Sequence, residues 1–526
     1  MKINRLCIYD IENRPLLKGL NLYFGTRLND NNASANCFIG VNGAGKSQVL
    51  EALSEIFLFM DNLYRVENPL PEKYLLSPFA FKIEYEIVFE EVLHLVVFEC
   101  DKVGGKLKDV DFSIFIKNDE ELQQIDISQI SLINFIPAKI TGYTSGANET
   151  LSLPFDSYYD HYAEYTWNRA KNINDTADHS KIDYDPRLYF MNYNTNLGIT
   201  ITSFIYRDDF PEFQLILDTL NINELKSFVI TIQTLPPTRR NGGVIFTPEL
   251  EEWRQKLINI ADENIVDEKH QKNTLKFNIT DETRIAFKDN FSSALELYTC
   301  LYKLELLNNL VVDKATREKL KKERADRKLL TKMPIVSDIN KVMNYSELKL
   351  ILNNKNRSEI DYLSLSDGEH QFLNVFGTLL MMNQDNCLFL LDEPETHFNP
   401  VWRRTFISTL ERITHNRKQD IFITTHSPFI ISDSKRENVF IFKKENEEII
   451  VDNPSSETYG ATFDNILKMA FEIVPPISEN SLEEIKKLQH ENDPNVIQEE
   501  LENFGDSLEI ATLRNRIILL KSKDQK

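Results

Sequence analysis

Apolar and polar positions alternate in short runs at the start of the chain, where Ile3, Leu6 and Ile8 read as one or two strands. A polar stretch over 29–36 separates them from a compact apolar strand through Cys37, Phe38 and Ile39. From Lys46 the period lengthens. Val49, Leu53, Ile56, Phe57 and Met60 recur at the spacing of one helix face, which predicts a helix. Residues 81–87, FKIEYEI, return to a period of two and predict a half-buried strand, with further strands over 93–99 and 112–116 forming an antiparallel sheet. The stretch 130–135 also reads as strand-like. Between about 150 and 340 the pattern breaks into Asn-rich loops and two short helical patterns, and the expectation is a large, largely helical insertion.

The pattern sharpens again from Tyr362. A serine/glycine turn opens a helix carrying Phe372, Leu373, Phe376, Leu379 and Leu380, and the apolar strand 387–391 ends in two acids. A helix follows Pro400, then a strand over 421–423, a polar turn, and a hairpin over 439–442 and 449–451. Strand–helix alternation of this kind predicts an α/β core. The last fifty residues read as acidic and helical. There Asp506 and Glu509 fit a helix start, and Leu513, Ile517 and Leu520 form an apolar face that packs on its own domain or docks a partner. The expected divisions are 1–75 and 341–475 for the two lobes of the α/β head, 76–150 for the antiparallel β subdomain, 151–340 for the insertion and 476–526 for the tail.

Charge narrows the picture. Sixty Lys and Arg against 81 Asp and Glu leave a net charge of −21, so the mean field repels phosphate and any DNA contact needs a local patch. Residues 313–332 hold nine Lys/Arg against four Asp/Glu. They read either as a solvated helix or as a DNA or partner contact. Sustained heptads and internal repeats are missing from the pattern. The five cysteines (Cys7, Cys37, Cys100, Cys300 and Cys387) form no C-x-x-C pair and suit a reducing compartment. The opening MKINRLCIYDIENRP has no apolar run of signal-peptide length, and no run approaches 18 apolar residues, so a cytoplasmic chain without a membrane span is expected.

Residues 40–47, GVNGAGKS, match G-x-x-x-x-G-K-[ST] between a strand and a helix. Glycines at 40, 43 and 45 let the backbone curl so that its N–H groups face a phosphate-sized concavity, and the helix beginning near Lys46 points its positive end at the same anion. Lys46 reaches the β and γ phosphates, and Ser47 offers a hydroxyl to Mg²⁺. The candidate ATP-binding residues are Gly40, Asn42, Gly43, Ala44, Gly45, Lys46, Ser47 and Gln48. A second constellation lies at 387–393, CLFLLDE, where a buried strand delivers Asp392 and Glu393 to its C-terminal edge. Asp392 joins Ser47 as the candidate Mg²⁺ holder, and Glu393 is the candidate general base for water. Glu393 argues for hydrolysis, because a scaffold that only binds nucleotide has no need of it. His426, in TTHSPF, stands at the end of the next strand, where an imidazole reaches a γ-phosphate oxygen or the attacking water. Glu393, His426 and Lys46 are therefore the candidate catalytic residues. Residues 365–369, LSDGE, open a helix. Ser366 and Glu369 make an S-x-x-E capping box, and on a second reading Ser366, Gly368 and the helix end bind a γ-phosphate.

Taken in order, GVNGAGKS, LSDGEHQ, LFLLDEPETHFNP and TTHSPF resemble the ATPase domain of the ABC superfamily, in its soluble SMC-like and break-repair branch. The resemblance covers about 1–60 and 340–445. It implies an α/β ABC-type head with ATP and Mg²⁺ as cofactors. In that family LSxGE is the signature, so Leu365, Ser366, Asp367, Gly368 and Glu369 would meet the ATP held by a second subunit. Asn399 and Pro400 match the D-loop, and His426 the switch histidine. The implied unit is a head-to-tail homodimer, or a higher homo-oligomer, clamping two ATPs. More narrowly, DEPETHFNP followed by TTHSPF resembles the ATPases of bacterial anti-phage defence and restriction systems, among them the Septu and retron-associated ATPases. The function this implies is an ATP-hydrolysing sensor or gate for a separate effector protein, expected to be a nuclease. Two departures stand out. A Q-loop glutamine is missing, with Asn148 or Glu149 in about the right place, and the polar loop 142–149 reads equally as surface. The nuclease relatives carry a C-terminal TOPRIM module with a D-x-D, but only about 100 residues follow His426 and none of them form that motif, so no nuclease is expected in this chain.

Three other functions compete with this one. A DNA-repair or tethering ATPase calls for long coiled coils or a zinc hook. A transporter motor fits poorly with the 320 residues between Lys46 and Ser366. A nucleotide-dependent scaffold with negligible hydrolysis is separated by a phosphate-release assay.

Overall fold

The computed structural model describes residues 1–25, 35–65, 75–118, 121–145, 150–172, 185–237, 243–325, 333–446 and 448–523. β1 (Lys2–Asp10) and β2 (Asn21–Tyr23) pair antiparallel before the chain enters β3 (Ala35–Gly40) and α1 (Lys46–Tyr64). β4 (Ala80–Phe89), β5 (Val92–Cys100), β6 (Val110–Asn118) and β7 (Glu121–Gln124) complete an antiparallel sheet in the order β2-β1-β4-β5-β6-β7. The two-residue period of β4 has its expected effect: Phe81, Ile83, Tyr85 and Ile87 are all buried. Phe57 and Phe59 of α1 set their rings against Tyr85 and Phe81, so this sheet supports the helix that follows the glycine loop.

The expected strand at 130–135 is not one. Leu132–Phe135 form a tight helical turn just after another at Ile127–Gln129, and the strand is β8 (Lys139–Thr144). Asp126 accepts the Ser128 amide at 3.0 Å, a local bond that closes a turn where the apolar pattern alone suggests extension.

The middle of the chain holds more regular structure than its pattern suggests. It contains α2 (Ser152–Asn172), β9 (Leu188–Met191), α3 (Tyr193–Ile205), α4 (Phe213–Leu220), β10 (Ile222–Gln233), α5 (Pro248–Ile260), β11 (Glu263–Asp267), β12 (Lys272–Asn278), α6 (Asp281–Asn290), α7 (Ala294–Leu306) and α8 (Lys314–Ala325). With β13 (Met343–Leu352) and β14 (Glu359–Asp361) there is an antiparallel sheet in the order β11-β12-β10-β13-β14, which therefore runs past residue 340. The sequence reading missed this sheet for a physical reason. Register shifts interrupt the β10–β13 pairing between Ile222 and Glu224, Leu225 and Ser227, and Val229 and Ile230, and each shift resets the two-residue period. In the basic stretch, Arg317 and Lys321 of α8 pair with Glu164 of α2 at 2.6 and 3.2 Å, and residues 326–332 lie outside the described residues.

Glu305 of α7 lines a cavity of about 640 Å³ together with Tyr159, Tyr302 and Lys341. Burial raises its carboxyl to about 7, against the pull of the Lys341 ammonium. The folded value lies above that of the unfolded chain, so the native state binds this proton more tightly. Stability is then full at low pH and falls as the pH rises from about 4.5 through about 7. Glu305→Gln, fixed neutral, should raise the thermal midpoint at pH 8 by about 2 °C and leave it unchanged at pH 5. Melting curves at the two pH values check this, and a variant that loses stability equally at both would refute it.

The head closes with α9 (Asp367–Met381), β15 (Cys387–Asp392), α10 (Pro400–Arg404), α11 (Phe406–Ile413), β16 (Asp420–Thr424), α12 (Pro428–Ser432) and the hairpin β17 (Val439–Glu445) and β18 (Glu448–Asp452). These strands join the earlier ones in a seven-stranded sheet, β18-β17-β3-β16-β15-β8-β9, parallel except at the hairpin. Residues of β3 and β16 are buried throughout, as both faces of a parallel sheet are covered. The fold is α/β, as the alternation predicted.

Residues from Ala461 onward form a second compact unit. After α13 (Phe463–Phe471), the helices α14 (Glu479–His490), α15 (Pro494–Glu500) and α16 (Leu508–Lys523) bury Ile485, Ile497, Leu501, Ile510, Leu513 and Ile517 in a cluster of their own. The start of α16 is capped by Ser507, whose hydroxyl accepts the Ile510 amide at 3.1 Å, rather than by Asp506. Among the described residues no helix is long and apolar enough to cross a membrane, and all five cysteines are free and buried.

Candidate active site

The strand order decides which side chains meet. β16 lies between β3, which leads into the glycine loop, and β15, which ends in the acid pair. In register, Asp392 stands beside Thr424 on one flank and Thr144 on the other. The C-terminal ends of β3, β16, β15 and β8 thus share one edge of the sheet, and the candidate residues of three separate segments arrive there together.

The glycine loop turns through left-handed backbone at Gly40, Gly43 and Gly45. At Gly45 the φ of +85° favours glycine, and at Gly40 a Cβ would stand 2.2 Å from the backbone carbonyl oxygen of Phe442, so there space requires it. Gly45 is also the N-cap of α1, with no side-chain cap and no acid in the first turn. The other helix that opens at a candidate motif behaves differently. At the start of α9, Ser366 accepts the Glu369 amide at 3.4 Å and Glu369 accepts the Ser366 amide at 2.7 Å. That is the capping box expected from the sequence. The start of α1 thus has no side-chain cap and faces an anion site directly, whereas at α9 the capping box occupies the Glu369 amide.

Lys46 is buried and folds back on its own loop, donating to the carbonyls of Gly40 at 2.8 Å and Val41 at 3.2 Å. Burial lowers its ammonium to about 8, with Glu393 and Asp392 holding it up. Its Nζ also lies 3.2 Å from Nε2 of His426. Burial, then the Lys46 charge, lower the His426 pKa, while Glu393 and Asp392 oppose them. The 3.5 Å approach of His426 Nε2 to Oε1 of Glu393 would be an ion pair only for a charged ring. The lowered pKa and the neighbouring ammonium both favour the neutral imidazole, with Nε2 accepting from Lys46.

Asp392 gathers hydroxyls. Ser47 Oγ donates to its Oδ1 at 2.7 Å, Thr424 donates to the same oxygen, and Thr144 reaches Oδ2 at 3.4 Å. Ser47 and Asp392 therefore present hard oxygen atoms side by side, which fits Mg²⁺. No group of three or more His, Cys, Asp or Glu able to hold a metal occurs among the described residues. Glu393 itself has left-handed backbone (φ 50°), held by bonds from its amide to the carbonyl and hydroxyl of Thr424, both at 3.1 Å. That turn costs about 1 kcal/mol for a residue with a Cβ, and it leaves the carboxylate 41% exposed at the sheet edge.

The structure brings together Lys46, Ser47, Asp392, Glu393 and His426. It leaves Leu365, Ser366, Asp367, Gly368 and Glu369 apart. Among the described residues no hydrogen bond or ion pair joins 365–369 to 40–48, and Ser366 is exposed. Gly368 instead packs on the D-loop segment, where a Cβ would stand 2.6 Å from the carbonyl oxygen of His397. Asn399 caps α10 through the Trp402 amide at 3.0 Å. Gln48 Oε1 is buried without a partner among the described residues. Asn148 and Glu149 lie outside the described residues. Sequence reasoning missed Thr144, Thr424, Thr425 and Glu395. The paired threonines before His426, and a second acid three residues after Asp392, were the signals available.

Residues 240–432 match the family described as AAA domain, putative AbiEii toxin, Type IV TA system. That stretch contains 365–369, the acid pair and His426, and the glycine loop lies outside it. Among curated proteins the chain is similar to the Retron Vc95 probable ATPase of Vibrio cholerae serotype O1 biovar El Tor, with 27% identity over 148 residues, 26% of this chain and 28% of that one. It is similar to the Retron Ec83 probable ATPase of Escherichia coli, with 30% identity over 116 residues, 19% and 21% of the two chains. Protein ea59 of Escherichia phage lambda is 27% identical over 109 residues, 21% of each chain. The chain thus spans between a fifth and under a third of the length of the curated relatives it matches. The SMC head domain from Thermotoga maritima aligns with a TM-score of 0.31 and 10% identity, over 87% of this chain and 100% of that one. Over part of its length the chain is therefore similar to retron-associated probable ATPases and, over 240–432, to an AAA-domain family.

Proposed function

We propose that this protein binds and hydrolyses ATP, acting in the cytoplasm as a sensor or gate for a separate effector, a nuclease, in anti-phage defence. The observation that supports it most is the convergence of Lys46, Ser47, Asp392, Glu393 and His426 on one sheet edge beside an uncapped helix start. In this reading the amides of 43–47 and Lys46 hold the β and γ phosphates and stabilise charge as it moves to the leaving oxygen. Ser47 and Asp392 would hold Mg²⁺, which would supply positive charge beside the phosphates. Glu393 takes a proton from the attacking water, and neutral His426 orients that water or a γ-phosphate oxygen. The exposed Ser366 and the end of α9 complete the site of a second copy, making a head-to-tail homodimer or higher oligomer with two composite sites.

The defence setting draws on the retron relatives, and the effector on the motif resemblance. A DNA contact through 313–332 is weaker than the sequence suggests, since Arg317 and Lys321 already serve Glu164. Purified protein should release phosphate from ATP in Mg²⁺ and stop in excess EDTA. Tight ATP binding with no phosphate release would favour the nucleotide-dependent scaffold instead. A chain that neither binds nor cleaves Mg-ATP would end the reading.

A further inference from the structure

Glu395 follows Asp392 by three residues and is only 4% exposed. Its Oε1 accepts the hydroxyl proton of Thr425, and its Oε2 is buried with no hydrogen-bond partner among the described residues. The Thr425 oxygen in turn accepts the Ser427 amide at 2.9 Å. His426 lies between these two residues, so the backbone on both sides of the imidazole is tied through one hydroxyl to one carboxyl group. A parallel tie runs one residue earlier, where the Glu393 amide meets Thr424. The two ties link the turn 392–396 to the turn 424–427 and fix how far Glu393 stands from His426. On its other side the acidic turn is held by Arg403, which donates to the carbonyls of Glu395 at 3.3 Å and Thr396 at 2.8 Å. Gln371 of α9 holds it as well, accepting the His397 amide at 3.0 Å.

A carboxyl enclosed with a single hydrogen bond is a poor packing element, because an apolar side chain of similar size fills the same space without the loss of hydration. Burial raises Glu395 to about 7, with the Thr425 bond and Arg403 opposing and Glu393 adding to the rise. The group is therefore largely neutral in mildly acid conditions, and its Thr425 bond does not depend on a charge.

We propose that Glu395 is a positioning residue for ATP hydrolysis, holding His426 through the Thr425 hydroxyl at the distance from Glu393 that places the attacking water. The inference rests on the ATPase reading of the same site.

Steady-state turnover and ATP affinity are measured for wild type, Glu393→Gln, Thr425→Val, Glu395→Gln and Glu395→Ala. Thr425→Val keeps the side-chain volume and removes the donor, so it remains informative should Glu395→Ala fail to fold. The expected result is a fall in kcat of about 10- to 100-fold for Thr425→Val and Glu395→Ala, with the ATP Kd within about two-fold of wild type. Glu395→Gln keeps an acceptor for Thr425 and should stay within about three-fold of wild-type kcat. Combining Glu395→Ala with Thr425→Val should be no worse than the weaker single variant, since both remove one bond. Wild-type kcat in Thr425→Val overturns the inference, as does a Kd that rises in step with the loss of kcat. Equal loss in Glu395→Gln and Glu395→Ala also overturns it, because the acid itself would then be in use. A wild type without turnover ends the ATPase reading and this role with it. An active wild type, a dead Glu393→Gln and a silent Thr425→Val end the positioning role alone.

Discussion

Glu393→Gln should lower ATP turnover by about 10²- to 10⁴-fold while nucleotide stays bound, the range attributed to a positioned general base. The carboxylate is half-buried at the sheet edge, with 41% of its side chain exposed. It stands 3.5 Å from His426 and on the same edge as Lys46, and no side-chain bond ties it to Asp392. The amide is isosteric, so the left-handed turn and its two bonds to Thr424 should persist. What is lost is the ability to accept a proton from water. The bound triphosphate then remains uncleaved, and the proposed head-to-tail dimer should accumulate. Single-turnover phosphate release, paired with size-exclusion chromatography in Mg-ATP, reads both effects. A variant that hydrolyses at the wild-type rate, or binds ATP without any shift in oligomeric state, would remove Glu393 or the dimer from the mechanism.

The second large effect concerns the residues that one chain does not bring together. Lys46→Ala removes the ammonium at the glycine loop, and Ser366→Arg places a bulky cation at the exposed start of α9. Each variant alone should lose nearly all hydrolysis. If each site takes its loop from one copy and its Ser366 from another, a mixed dimer of the two variants has one site with both defects and one with neither. An equal mixture that exchanges subunits freely should then recover about a quarter of wild-type activity. The recovery comes from half the dimers being mixed, each with one of two sites intact. Ser366→Arg also removes a helix cap worth about 1 kcal/mol, so its melting temperature must be measured alongside. Two folded, dimeric variants that show no recovery when mixed would place Ser366 outside any shared site.

The tail invites a caution about truncation. Removing 500–526 deletes four of the six buried residues of that cluster, Leu501, Ile510, Leu513 and Ile517, and leaves Ile485 and Ile497. Such a deletion unfolds the second unit and so tests its stability rather than a docking face. Removing Ala461–Lys526 whole follows the boundary between the two units.

The strand before the glycine loop, the helix from Lys46, the β4 strand with its two-residue period, the acid-tipped strand and the hairpin after His426 were all readable from the chain alone. In each, local periodicity and local turn chemistry agree, and short-range physics is enough. The capping box at Ser366 and Glu369 was readable for the same reason, since its bonds span three residues. The sheet built on β10 was not readable, because register shifts against β13 erase its period. Nor was the turn over Leu132–Phe135, where a run of apolar residues reads as extended and no side-chain cap marks the turn. Only the tertiary fold could decide that β16 runs between β3 and β15, which sets His426 between Lys46 and Glu393 although 380 residues separate it from Lys46 along the chain. Pairing order among parallel strands depends on contacts between distant segments, and no local pattern encodes it. The bond from Thr425 to Glu395 was hidden for the same reason. Its partners lie 30 residues apart on neighbouring strand ends, and only the sheet makes them neighbours.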